Sequence, residues 1–129
     1  MKKVVALLAL WAGGFSFGAS FPVTVTAYNA LSAQTDSTPT ITATGTRVRT
    51  GIVALSRDLL RVAPYGSVVR FEQVRGENCG GFTTGNLRVE DTMAARKFQR
   101  ADIFMWSKDA AINWGSCSAR MVVVRRAAR

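Results

Sequence analysis

In the stretch Val89-Glu90-Asp91-Thr92-Met93-Ala94-Ala95-Arg96-Lys97-Phe98-Gln99-Arg100-Ala101-Asp102-Ile103-Phe104, an apolar strand ends on a carboxylate, a basic loop follows, and a second carboxylate opens another apolar run. Asp91 and Asp102 stand 11 residues apart. A loop of that length folds back and brings the two carboxylates together. The run from Ile103 to Trp106 is almost wholly apolar, so Asp102 at its mouth is expected to be partly desolvated. Burial and a neighbouring carboxylate both raise a carboxyl pKa. A raised pKa is what a general acid working near neutral pH needs. Lys97 or Arg100 is placed to keep the partner Asp91 ionised. The plainer alternative is that both aspartates form turns and cap loops, as aspartates beside loops commonly do.

Outward from this stretch the chain reads as short strands and tight turns. Val23, Val25 and Ala27 alternate with Thr24 and Thr26 across Pro22 to Tyr28, the period of a half-buried strand. Residues 29–40 are polar and read as a long loop, with Asp36 suited to an Asx turn. Ile41 to Thr46 is short and extended, and Gly51 to Leu55 is an apolar run fit for a buried strand. Asp58 to Val62 offers one helical turn before Pro64. Ser67 to Val74 is a strand, and Arg75 to Asn86, with Gly76, Gly80, Gly81 and Gly85, reads as a hairpin-like loop. Leu87 to Asp91 and Asp102 to Trp106 are strands. Ser107 to Trp114 is a short helix with Ser107 as N-cap, Asp109 in the first turn and Gly115 as its stop. Ala119 to Arg125 is the last strand. Together these describe an all-β chain, a small closed barrel with one or two short helices. No repeat and no linker interrupts it, so residues 21–129 are expected to form a single domain.

Residues 1–20 read as a secretory signal peptide. Lys2 and Lys3 precede the apolar run Val4 to Ala12, and Gly18 and Ser20 suit a cleavage site. The apolar run is short for a membrane span. The full chain carries a formal charge of +9, which falls to +7 once Lys2 and Lys3 leave with the leader. An exported cation of this kind meets anionic wall or envelope polymers. The leader argues against nucleic acid as the partner, and a monomer is expected. Cys79 and Cys117 are the only cysteines. Export favours a disulfide between them, and the sequence leaves open whether they lie close enough.

The chain has no histidine. That excludes Ser-His-Asp and Cys-His machinery and the usual zinc hydrolase sites. No G-x-x-x-x-G-K-[ST] phosphate loop is present. No metal and no cofactor is expected. Acid–base work therefore falls to Asp, Glu, Lys or Tyr.

An ordered set of short motifs resembles the three-aspartate (3D) domain family. Thr26-Ala27-Tyr28 resembles its T-A-Y, and Thr42-Ala43-Thr44-Gly45 its T-A-x-G. Ile52 to Asp58 followed by Pro64-Tyr65-Gly66-Ser67 resembles its I-A-V-D and P-x-G-T stretch. Asp91-Thr92 and Arg100-Ala101-Asp102 resemble the D-T-G-G…K-G-x-R-x-D signature, with Lys97 and Arg100 on its Lys and Arg. Ala111 and Trp114-Gly115 resemble the closing A-x-x-[FW]-G. The likeness spans about residues 24–125. It implies a six-stranded double-psi β-barrel, similar to the catalytic barrel of membrane-bound lytic transglycosylase A and, more distantly, to rare lipoprotein A and the expansins. Carried over, Asp102 is the acid–base residue, Asp91 supports it, and Asp58 matches the first family aspartate, with Asp36 as a rival. Met93-Ala94 and Phe98 stand where the family has glycines, and Met93 is expected to narrow the groove or re-aim its loop.

The implied activity is that of a secreted peptidoglycan lytic transglycosylase, cleaving MurNAc–GlcNAc bonds to 1,6-anhydro-MurNAc ends. The alternative is a non-catalytic, expansin-like barrel that binds wall glycans. A third reading is a cationic envelope protein directed at another protein or an anionic lipid. The expected substrate-binding set is Asp58, Lys97, Arg100, Thr92, Tyr28, Thr44 and Thr46. Tyr28 lines the glycan groove or the barrel wall. Thr44 and Thr46 contact sugar hydroxyls or hold a turn. Trp106 and Trp114 are read as core packing rather than as sugar-stacking surfaces.

Overall fold

The computed structural model describes residues 20–30 and 40–128. The leader, apart from Ser20, the loop around Asp36 and the terminal Arg129 lie outside the described residues. The elements are β1 (Ser20–Tyr28), β2 (Ile52–Leu55), α1 (Arg57–Leu60), β3 (Val68–Gly76), β4 (Cys79–Phe82), β5 (Leu87–Thr92), β6 (Arg100–Phe104), α2 (Lys108–Trp114) and β7 (Cys117–Arg125). The strands form one seven-stranded sheet in the order β4-β3-β5-β2-β6-β1-β7, and β3 pairs again with β7. That second pairing joins the two ends of the sheet into a barrel and leaves β4 as an appendage of β3. Two pairings, β1 with β6 and β2 with β5, are parallel and the rest antiparallel.

The sheet has one strand more than the six expected. The extra one, β4, lies in the glycine-rich stretch read as a loop. Gly80 and Gly81 hide its strand character, because glycine is poor in strands when judged alone. Tertiary contacts supply what propensity lacks. β4 returns along β3 through the turn at Glu77 and Asn78, and a Cys79–Cys117 disulfide ties it to β7 with the Cα atoms 6.3 Å apart. Gly76 is required there, since a Cβ would meet the Cys117 Sγ and the Ser116 carbonyl oxygen at 3.1 Å.

Alternation along the strands sends one set of side chains inward. Val25, Val53, Leu55, Val69, Phe71, Val89, Ala101 and Met121 form a fully buried interior. Each of these side chains larger than alanine contributes roughly 1.5–3 kcal/mol when removed from water. The opposite set on β1, β2 and β6 builds a second, outer cluster of Tyr28, Ile52, Ala54 and Phe104, joined by Val48 from outside the strands, with Met93 packed against it. Residues 40–50 pass over this cluster. α2 starts at Ser107, whose hydroxyl accepts the Ala110 N–H at 3.1 Å, and stops at Gly115, where φ is +68°. Trp114 closes the helix against the barrel, its indole N–H donating to the Val25 carbonyl at 3.1 Å.

Candidate functional site

Asp102 lies inside β6, between the interior residues Ala101 and Ile103, so its side chain points to the outer face. Ala54 of β2 is its register partner on one side and Thr26 of β1 on the other. Ala54 is also the register partner of Asp91 on β5. Asp91, Ala54, Asp102 and Thr26 thus form one row across four strands, and the two carboxylates flank a methyl group.

Asp91 reaches this row through a fault in the sheet. Val53 pairs with Val89, but the next residue, Ala54, pairs with Asp91. Glu90 is the extra residue of a β-bulge, and a bulge shifts the alternation by one. Strict alternation from the buried Val89 would turn Asp91 inward. The bulge turns it outward, beside Asp102.

Hydrogen bonds fix both carboxylates. The Thr26 hydroxyl donates to Asp102 Oδ1 at 2.9 Å. The Ala43 and Thr92 N–H groups donate to Asp91 Oδ1 at 3.0 and 2.9 Å, and the Tyr28 hydroxyl donates to Asp91 Oδ2 at 3.3 Å. Burial pushes the Asp102 carboxyl up to about 6. The Thr26 hydrogen bond and the Lys97 charge pull it down, and the Asp91 charge adds to the rise. Burial, then the Asp91 and Asp102 charges, raise the Tyr28 hydroxyl far above its ordinary value, so it remains a donor. The Asp102 side chain leaves β6 on the outer face, the side that also carries Phe104.

The other expected residues divide by position. Tyr28, Lys97 and Arg100 lie near the carboxylates: Tyr28 bonds Asp91, Lys97 acts on Asp102 by charge, and Arg100 shares the outer side of β6. Thr92 turns away, its hydroxyl donating to the Leu55 carbonyl at 3.2 Å. Asp58 sits on α1 and accepts the Gln99 N–H at 3.1 and 3.2 Å on its two oxygens. Gln99 has φ +52°, so Asp58 secures the strained end of the basic loop. The hydroxyls of Thr44 and Thr46 face each other and Thr42, at 2.8 to 3.2 Å, and Thr46 donates to Glu90. They hold a turn.

Glu90 has a role that motif reading missed. It is 4% exposed and accepts from Arg49 through both oxygens, and Arg88 lies 3.1 Å away. The Arg49 bond, foremost, holds its carboxyl below the ordinary range. This bulge residue pins residues 42–49 to β5, and that segment delivers the Ala43 N–H to Asp91. A Thr-rich turn followed by Arg49 is the only hint of it in the sequence. Trp106 also departs from expectation: it is 60% exposed, whereas Trp114 packs on the core. Among the described residues no group of three Cys, Asp or Glu side chains gathers to hold a metal ion.

No family model matches the chain, and no curated protein matches it. Solved structures do. The apo expansin of Clavibacter michiganensis aligns over 85% of this chain and 52% of its own, with a TM-score of 0.54 and 19% identity. An aspartate-to-asparagine variant of that expansin in complex with cellohexaose aligns over the same shares, with a TM-score of 0.51 and 16% identity. MltA from E. coli aligns over 73% of this chain and 30% of its own, with a TM-score of 0.50 and 20% identity. The chain spans about half the length of the expansins and under a third of MltA. At these identities what is shared is the fold, a small mostly-β barrel.

Proposed function

We propose that this chain is an exported double-psi β-barrel of the three-aspartate kind that cleaves peptidoglycan glycan strands as a lytic transglycosylase, with Asp102 as its acid–base residue. The observation that carries the reading is the position of Asp102: a carboxyl raised to about 6 on the outer face of the barrel, in register with Asp91. The motif resemblance names the same residue independently, and the likeness in fold to MltA fits it. The Cys79–Cys117 disulfide suits an oxidising compartment.

The chemistry needs few groups. Protonated Asp102 donates to the glycosidic oxygen as the bond from MurNAc C1 to that oxygen breaks. The C6 hydroxyl of the same MurNAc then bonds to C1, and the Asp102 carboxylate takes its proton. The products are a 1,6-anhydro end and a new GlcNAc hydroxyl, with no water consumed. The substrate supplies the nucleophile, so the second carboxylate demanded by ordinary glycosidases is not obligatory. The Thr26 bond orients the Asp102 carboxyl. Asp91, held by three donors, supplies the negative charge that favours the protonated form of Asp102 and stabilises positive charge developing at C1.

A second reading rests on Met93. It packs against the outer cluster where the family has a glycine, and so occupies space beside the carboxylates. This favours a barrel that grips wall glycans without cutting them, and the fold shared with an expansin solved with cellohexaose fits it as well. Mass spectrometry of peptidoglycan incubated with the protein and with Asp102→Asn separates the two. The transglycosylase reading predicts anhydro-MurNAc products from the wild type and none from the variant. Reducing ends in their place would mean hydrolysis, and an intact glycan that retains bound protein would leave the binding reading.

A further inference from the structure

We infer that the exposed indole of Trp106 is a sugar-stacking platform that extends the glycan site beyond Asp102 along β6; this rests on the glycan reading of the carboxylate pair. The outward-facing positions of β6 are Arg100, Asp102 and Phe104, and Trp106 lies in the bend just past the end of the strand. An aromatic chain links it to the carboxylates. Tyr28 bonds Asp91 and meets Phe104 edge-on with ring centroids 5.4 Å apart, and Phe104 meets Trp106 edge-on at 4.8 Å. Phe104 is 2% exposed and forms the floor, whereas Trp106 is 60% exposed. A large apolar side chain that is both open to solvent and seated against a buried ring is oriented at low entropic cost for a ligand.

The row's chemistry selects the occupant. It sets two charged side chains, Arg100 and Asp102, beside one exposed aromatic, Trp106, instead of presenting a broad apolar patch, which a membrane or an obligate protein partner would require. A pyranose ring has a C–H face that suits an indole and a hydroxyl rim that suits polar neighbours. Trp106 lies beyond the end of β6 and is separated from the Asp91-bonded Tyr28 by two edge-on ring contacts, with centroids 5.4 and 4.8 Å apart. A disaccharide held at Asp102 does not reach it, and a longer strand does.

Calorimetric titration in an Asp102→Asn background tests this without cleavage. The probes are a GlcNAc–MurNAc disaccharide and a purified octasaccharide of the same repeat. Trp106→Ala is expected to weaken octasaccharide binding roughly tenfold, the scale of one aromatic contact, and to leave disaccharide binding unchanged. Trp106→Phe is expected to recover most of the loss. Circular dichroism checks that the variants fold, and Ile112→Ala, another exposed apolar side chain, controls for surface effects. Unchanged octasaccharide affinity in Trp106→Ala, with the parent binding well, would overturn the platform and leave the proposed function standing. Equal losses for both probes would overturn it too. A parent that binds neither probe, beside a wild type that cuts no peptidoglycan, would overturn both.

Discussion

Asp102 is raised because its charged form is desolvated, and that makes its ionisation a cost to the fold. Its folded value, about 6, lies above its ordinary 3.8. Folding therefore binds a proton between these values: the stabilisation is full below about pH 4 and is lost as pH rises past 6. A gap of this size is worth on the order of 2 kcal/mol once partial exposure is allowed for. Asp102→Asn keeps the shape and removes the charge, so urea unfolding at pH 7.5 should find it more stable than the wild type by about that amount, with the difference vanishing by pH 4. Glu90 behaves in the opposite sense. Its folded value is lowered, so its contribution is present above the ordinary glutamate value and is lost as pH falls through the folded one. Glu90→Ala should cost about 2–3 kcal/mol through lost charge-assisted bonds. It should also raise amide exchange at Ala43, because the segment that Glu90 pins would come free.

At the scale of elements, the bulge and the hairpin show what the sequence discloses and what it withholds. The helix from Ser107 to Gly115 was legible because its cap, its acidic first turn and its stop are all local signals. The strands Ile52–Leu55, Leu87–Thr92 and Cys117–Arg125 were legible because their inward residues alternate or run apolar. Nothing local announces that Glu90 is the surplus residue in β5, since a bulge is defined by the partner strand. The convergence of Asp91 and Asp102 was expected from the loop between them, but the route by which Asp91 faces outward was not. Trp106 was read as core for a related reason: whether an aromatic at the end of a strand faces in or out depends on register set several strands away. β4 was hidden by its glycines and is held by its disulfide. Replacing Cys79 and Cys117 together by serine should destabilise the chain by about 3–4 kcal/mol, the loop-closure value for a 38-residue separation. Thermal unfolding with and without reductant measures it, and the loss should appear first in the exchange of β4 amides.

At the scale of the whole molecule, one barrel separates two jobs. The interior around Phe71 supplies stability, and the outer face around Ala54 carries the carboxylates. Phe71→Ala should cost about 3–5 kcal/mol, measured by denaturant unfolding, without moving the Asp102 titration. The net positive charge belongs to a third level, and under the proposed function it would draw the chain toward anionic wall polymers over long range. Sedimentation with purified wall should therefore show binding that weakens as salt rises from 0.05 to about 0.5 M, as screening shortens the reach of the field. The central claim remains local: the Asp102 carboxyl on the outer face of the barrel takes up its proton near pH 6, well above an ordinary aspartate. Carbon-13 NMR of the side-chain carboxyls, with Asp102 assigned by its loss in Asp102→Asn, reads that proton directly. A midpoint near 6 that falls when Asp91 is replaced by asparagine is the predicted result. A midpoint at the ordinary aspartate value, indifferent to Asp91, would contradict the account.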